Sequence, residues 1–170
     1  MEARPKIKID LTQFDKLLEI AGIVLIIIMW AVAIFSYLKS PETVAIHFDG
    51  AGKPNGYGDR ITNLLLPIIP TFIYLGLTQL NKYPHLYNYM RKITAENALT
   101  QYTAATRMIR ILKLSIVLIF IIDTFSALLI TLKISAGLGI WSLLFTILLL
   151  AIPVVYFVTH SLNKNKRVLK

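Results

Sequence analysis

The sequence predicts an all-α integral membrane protein: four transmembrane helices, N-in and C-in, with a structured outer loop between helices 1 and 2. Three observations carry this. Four long runs are almost free of charge, and hydrophobic residues make up 56% of the chain. Mean hydropathy is +0.65, above the range of ordinary soluble domains. Finally, Lys and Arg are concentrated in alternate connections, as expected of a multi-pass protein.

The runs cover about 20–38, 61–80, 114–132 and 138–162, the third interrupted by the single charge of Asp123. A hydrocarbon core of about 30 Å needs roughly 20 residues at a 1.5 Å rise. Each run therefore fits one helical crossing. The 170 residues read as one membrane domain, with an outer loop at 39–60 and a cytoplasmic connection at 81–113.

Orientation follows from the 18 basic residues. Arg4, Lys6, Lys8 and Lys16 precede the first run. Lys82, Arg91, Lys92, Arg107, Arg110 and Lys113 lie between the second and third, and Lys164, Lys166, Arg167 and Lys170 follow the fourth. Only Lys39, Lys53, Arg60 and Lys133 lie in the other two loops. The positive-inside rule puts both termini and 81–113 in the cytoplasm and 39–60 outside, in a multi-pass protein of the cell membrane. The net charge of +9 is then a topology signal beside anionic lipid rather than a sign of nucleic-acid binding. Ala31-Val32-Ala33 has the form of a signal-cleavage site, but Ile34 and Phe35 continue the apolar stretch, so the first helix is expected to be retained. The chain has no cysteine, which excludes disulfides, thiolate nucleophiles and thiolate metal sites.

In the N-terminal arm Lys6-Ile7-Lys8-Ile9 alternates, and Asp10 or Thr12 can cap a helix starting near Leu11. Phe14, Leu17, Leu18 and Ala21 recur at helical spacing, so helix 1 starts in the interface, with Glu19 at the boundary of the bilayer. Helix 2 holds Pro67 and Pro70, each of which removes a backbone donor and favours a kink. In the connection, Tyr83, Tyr87, Tyr89 and Tyr102 are interleaved with basic residues, and Leu86, Met90 and Ile93 with Tyr89 suggest an interfacial helix ending near Thr94. Such a surface suits lipid anchoring or the docking of a cytoplasmic protein through 81–113. From Ala95 the chain is good helix running into the third span, which is expected to project beyond the membrane. Gly137 and Gly139 mark a tight outer turn before Trp141, and the last span carries Pro153 and then His160.

Asp123 lies mid-span, where a carboxylate is costly unless it faces the bundle interior or water. Its expected partners are Tyr74, Thr71, Thr146 or the Trp30 indole, with Ser126 and Thr124 as packing neighbours. It is either a proton or cation site or a helix-packing residue.

The polar island at 41–60 is PETVAIHFDGAGKPNGYGDR. Val44, Ile46 and Phe48 alternate with Ala45, His47 and Asp49, which places His47 and Asp49 on one face of a short strand. Gly50, Gly52, Pro54, Gly56 and Gly58 then predict a compact turn-rich loop. A His and an Asp two apart can share a metal ion or act as base and orienter. Against this, His85 and His160 fall on the cytoplasmic side, and Ala51 and Lys53 stand where a calcium loop needs ligands. Neither a metal nor a cofactor is expected. The alternative is structural: His47 bonding loop backbone and Asp49 accepting from turn amides. No nucleotide motif, nucleophile elbow, HExxH pattern or pair of intramembrane acids is present, so a non-enzymatic protein is expected.

Pro41, His47-Phe48-Asp49, Gly52, Pro54-Asn55 and Gly58-Asp59-Arg60, ahead of an apolar span with Pro67, resemble the signature of the domain of unknown function 1648 family. Asp59-Arg60 stands where that pattern has a small residue and lysine, and Asn55 where aspartate is common. The resemblance implies a small bacterial or archaeal membrane protein whose domain is shared with SdpI-type immunity proteins. Those protect a cell from a secreted toxic peptide, so these motif residues would be the recognition site.

Three functional classes follow. The first is immunity to, or sensing of, a peptide toxin through the outer loop. The second is a small ion- or proton-coupled transporter or accessory using Asp123; since four spans make a thin pathway, this class calls for a homo-oligomer. The third is a structural subunit docking a soluble partner in the cytoplasm.

Overall fold

A computed structural model describes residues 4–163, with side chains through 159. The tail cations Lys164, Lys166, Arg167 and Lys170 lie outside the described residues, as does the His160 side chain. The elements are α1 (Gln13–Lys39), β1 (Thr43–Phe48), β2 (Pro54–Asp59), α2 (Leu65–Leu80), α3 (Ala95–Thr131) and α4 (Ile140–Asn163). Short 3-10 segments cover Arg60–Leu64 and Pro84–Leu86. The expected all-α chain is thus mostly helical but carries a two-stranded antiparallel hairpin between α1 and α2.

Helix α1 starts where its cap allows. Of the two candidates the structure uses Thr12: its hydroxyl accepts from the Asp15 amide at 3.2 Å, and the Asp15 carboxylate accepts from the Thr12 amide at 3.0 Å. Such reciprocal capping is worth about 1 kcal/mol. At the other end the Ser40 hydroxyl donates to the Ser36 carbonyl at 2.8 Å, and Pro41 turns the chain into the hairpin. Leu18, Gly22, Met29, Ala33 and Ser36 form the buried stripe of α1. Gly22 is required there, because a Cβ would stand 2.5 Å from the Tyr74 ring of α2.

Helix α2 treats its two prolines differently. Pro67 falls in the first turn, where a backbone N–H has no helical partner to lose, so of the two only Pro70 interrupts the helix interior. The Thr71 hydroxyl donates to the Pro67 carbonyl at 2.6 Å and accepts the Trp30 indole N–H at 3.2 Å, tying α2 to α1.

Helix α3 is the central element, with α1, α2 and α4 packed along it. It has 37 residues, about 55 Å at 1.5 Å per residue, and so outruns a bilayer core of about 30 Å. It opens at Thr94, whose amide donates to the Asn97 side chain at 3.0 Å.

The interfacial helix expected up to Thr94 does not form. Beyond the 3-10 turn at Pro84–Leu86 the chain to Thr94 is irregular. Its carbonyls are claimed by side chains: Tyr89 donates to the Pro84 carbonyl at 2.9 Å, and Arg4 donates to the carbonyls of His85 and Tyr87 at 3.2 and 2.6 Å. Leu86 and Met90 point to the surface, whereas Ile93 is buried with Ala98 and Tyr102, so the expected stripe is not one face. Ile7 and Ile9 of the arm pack on this cluster, which explains the Lys-Ile alternation.

Large apolar side chains such as Ile27, Phe72, Leu144 and Leu148 remain exposed on the helices. In water this surface would be an aggregation hazard; against lipid tails it is at no disadvantage.

Candidate functional site

The island forms the hairpin. Thr43 pairs with Asp59, Val44 with Gly58, Ala45 with Tyr57, His47 with Gly56 and Phe48 with Pro54. Ile46 and then Asn55 are the extra residues at two irregularities, which break the expected alternation. Val44 is buried and Phe48 half-buried, but Ile46 is exposed, its side chain lying over Gly58.

Most motif residues have a visible local task. The Asp49 carboxylate accepts from the amides of Ala51 and Lys53, both at 2.9 Å, closing the turn. His47 Nδ1 is hydrogen-bonded to the Asn55 side chain rather than to loop backbone, and the Asp49 carboxylate is directed at the turn, so the two do not converge on one point. Asp59 caps the following 3-10 segment by accepting from the Ile61 amide at 2.8 Å. Arg60 donates to the Ser40 carbonyl at 3.3 Å and lies 5.0 Å over the Tyr37 ring, bracing the hairpin base on the end of α1.

Gly52 has the most demanding place. Its φ is +78°, and its carbonyl accepts from the Leu138 amide at 2.9 Å. A Cβ here would meet the Gly139 backbone at 2.4 Å, and one on Gly137 would meet the Gly52 carbonyl at 2.2 Å. The hairpin tip is therefore docked, backbone on backbone, against the α3–α4 connection.

Docking leaves space below the hairpin. One cavity of about 310 Å³ lies among Phe48, Asp49, Asp123, Leu138, Ser142 and Thr146. A second, about 200 Å³, lies among Ile46, Phe48, Asn63, Leu66, Asp123 and Leu138. A third, about 310 Å³, lies between Pro41, Val44, Pro54, Tyr57 and the end of α3 at Ile130 and Thr131. Asp123 reaches both of the first two, so α3 brings it directly beneath the motif.

Its hydrogen-bond partner differs from expectation. Ser142 of α4 donates to Asp123 Oδ1 at 3.4 Å, a long bond, and Thr146 lines the same cavity. Tyr74, Thr71 and Trp30 are engaged elsewhere, and the Thr124 hydroxyl donates to the Phe120 carbonyl at 2.7 Å. The small outer turn hid this partner, because it folds the start of α4 back onto α3 one residue after the apparent interface tryptophan, Trp141.

A second polar assembly lies at the opposite end of the bundle. Asp15 pairs with Arg107 at 2.9 Å. Glu19 is reached by Arg110 at 3.2 Å and by Lys113 at 2.6 Å. Lys113 is buried, donates to Thr78 at 2.7 Å and lies 4.2 Å from the Tyr74 ring centre, while the Tyr74 hydroxyl donates to Glu19. Glu19, read from sequence as a boundary residue, thus joins three helices. The available signal was the spacing of Arg107, Arg110 and Lys113, three apart along one helix face, opposite Asp15 and Glu19, four apart on another.

Among the described residues four helices are long and apolar enough to cross a membrane, the mark of a multi-pass helical membrane protein. Residues 24–71, which hold the end of α1, the hairpin and the start of α2, match the family described as Domain of unknown function (DUF1648), in agreement with the motif. A protein of Archaeoglobus fulgidus described only as an uncharacterized protein is 34% identical over 86 residues, covering 46% of this chain and 47% of that relative. The chain thus matches about half the length of this relative. No solved structure matches.

Proposed function

We propose that this chain is a non-enzymatic recognition protein of the cell membrane, of the immunity or sensing kind, which takes an extracellular peptide at the hairpin and the cavities beneath it. The observation that carries the reading is the hairpin itself: a turn-locked, docked element that roofs two cavities meeting at one carboxylate. The charge distribution supports an outward hairpin, since the basic residues of the arm and of 81–113 gather at the opposite end. Cavities of about 300 Å³ lined by apolar groups and a few polar ones are of the kind that hold ligands. The family match over 24–71 supports the same segment as the functional unit.

The test is a survival assay. Cells expressing the chain are challenged with candidate secreted peptides, with membrane expression confirmed. Protection is expected, and is lost in Phe48→Ala, which empties the shared wall of both cavities while leaving the turn bonds of Asp49 intact. Protection by none of the peptides defeats the reading.

One observation favours a second reading, a small ion- or proton-coupled transporter: Asp123 lies where two cavities meet. It requires a flux across proteoliposomes that Asp123→Asn removes and Phe48→Ala leaves in place.

A further inference from the structure

Among the described residues Asp123 is a carboxylate in no ion pair. The cavities of about 310 and 200 Å³ that reach it are lined by no Lys or Arg among the described residues. Its one hydrogen bond from a described side chain, Ser142 to Oδ1, is long at 3.4 Å, and the residue lines both cavities. The ion pairs among the described residues lie at the far end, on Asp15 and Glu19. An acid kept in such a place with no cationic partner among the described residues is suited to a positive charge arriving from outside.

The surroundings indicate which cation. A hard metal ion takes about six to eight oxygen ligands, whereas the side chains here offer the Asp123 carboxylate, the Ser142 and Thr146 hydroxyls and the Asp49 carboxylate, which is already bonded to turn amides. Phe48, Leu138 and Leu143 supply the apolar wall of the larger cavity, and Leu66 and Ala127 that of the smaller, which Thr62 and Asn63 also line. Apolar walls with a ring beside a carboxylate suit an alkyl stem ending in an ammonium or guanidinium, which buries its methylenes and places its charge at the acid. Asp49 lines the same cavity on the hairpin side and adds negative potential there, although its Oδ1 is committed to the turn amides.

We propose that Asp123, with Ser142 and Thr146, is the subsite for a lysine or arginine side chain of the recognised peptide, inserted beneath the hairpin past Phe48. This rests on the peptide-recognition reading above and specifies the chemistry its ligand must carry.

The absence of native cysteine makes the test clean. Leu138→Cys puts a single thiol on both cavities, and Ala127→Cys puts one between the smaller and the third, as an independent reporter. Each full-length variant, in lipid nanodiscs open on both sides, is modified with trimethylammonium-ethyl or sulfonato-ethyl methanethiosulfonate. The cationic reagent is expected to react faster by about tenfold, after correction for the two rates with free cysteine, as one unit charge nearby in a half-screened site implies. Adding Asp123→Asn removes the preference and Asp123→Glu retains it. The peptide Gly-Lys-Gly slows modification, while Gly-norleucine-Gly does not, and the effect of the lysine peptide disappears in Asp123→Asn. Equal reagent rates, or a preference unchanged by Asp123→Asn, overturn the proposal. So does equal protection by sodium or potassium chloride at matched ionic strength, which assigns the acid to an inorganic cation. In the survival assay, full protection by Asp123→Asn sinks this subsite alone, whereas charge selectivity without protection by any peptide sinks the immunity reading and leaves the cation site standing.

Discussion

Replacing Gly52 by alanine tests whether hairpin docking is as specific as the geometry requires. Two costs act together. A φ of +78° disfavours any residue with a Cβ by about 1–2 kcal/mol. The added methyl would also stand 2.4 Å from the Gly139 backbone nitrogen, and because backbone cannot rotate away as a side chain can, overpacking adds about 1–3 kcal/mol. The sum, roughly 2–5 kcal/mol, falls on docking of the tip rather than on the whole bundle, so the docking equilibrium constant, and with it the protection factor, drops by at least about 30-fold. Hydrogen exchange at the Leu138 amide reads this directly, since that N–H is held by the Gly52 carbonyl at 2.9 Å. Gly50→Ala is the internal control: no atom lies within 4 Å of its Cβ. Gly52→Ala should deprotect Leu138 while the amides of α1 keep their protection, and Gly50→Ala should change neither. If Gly52→Ala leaves Leu138 as protected as Gly50→Ala does, the backbone-on-backbone docking described above is wrong.

Other perturbations probe the remaining parts. Arg107→Ala strands the nearly buried Asp15 carboxylate and should cost about 3 kcal/mol in thermal unfolding in detergent, more than Lys16→Ala at an exposed position. Gly22→Ala drives a methyl into the Tyr74 ring; it should destabilise by about 1–3 kcal/mol, with strong non-additivity in a double-mutant cycle with Tyr74→Leu. Tyr87 is pushed up from 10.0 to about 12 by burial, partly offset by Arg110, and burial raises Tyr89 further still. A raised folded-state value means that this stabilisation is complete below pH 10 and is lost as pH climbs toward 12. Exchange protection around 81–94 should fall in that window, and Tyr87→Phe should flatten part of the fall.

How much could be read from the chain alone depended on whether a signal was local. The four apolar runs, the Thr12 cap and the continuous helix from Ala95 rest on neighbouring residues, and each appears in the structure. The second strand was missed because Pro54, Gly56 and Gly58 score as turn formers; they are accepted in β2 because its partner strand supplies the pairing. The connection at 81–94 failed for a related reason. Its helical spacing is real, but Arg4, some eighty residues away, captures carbonyls that a helix would need. At the candidate site the motif was visible as a unit, whereas the Asp123–Ser142 contact and the cavities depend on how α4 folds against α3, which no local pattern encodes. The same holds for Glu19, whose partners all come from later helices.

The length of α3 has a mechanical consequence. One unbroken rod runs from Asp123 under the hairpin to Arg107, Arg110 and Lys113 and on to Ala95, 28 residues away, or about 42 Å at 1.5 Å per residue. Pivoted near Asp123, such a rod turns a tilt of about 5° into a sweep of roughly 4 Å at its far tip. The tip carries the Ile93–Tyr102 cluster and the N-terminal arm strapped over it. An event too small to alter the shape of the hairpin would thus be magnified into a displacement as large as a side chain at the far end of the bundle.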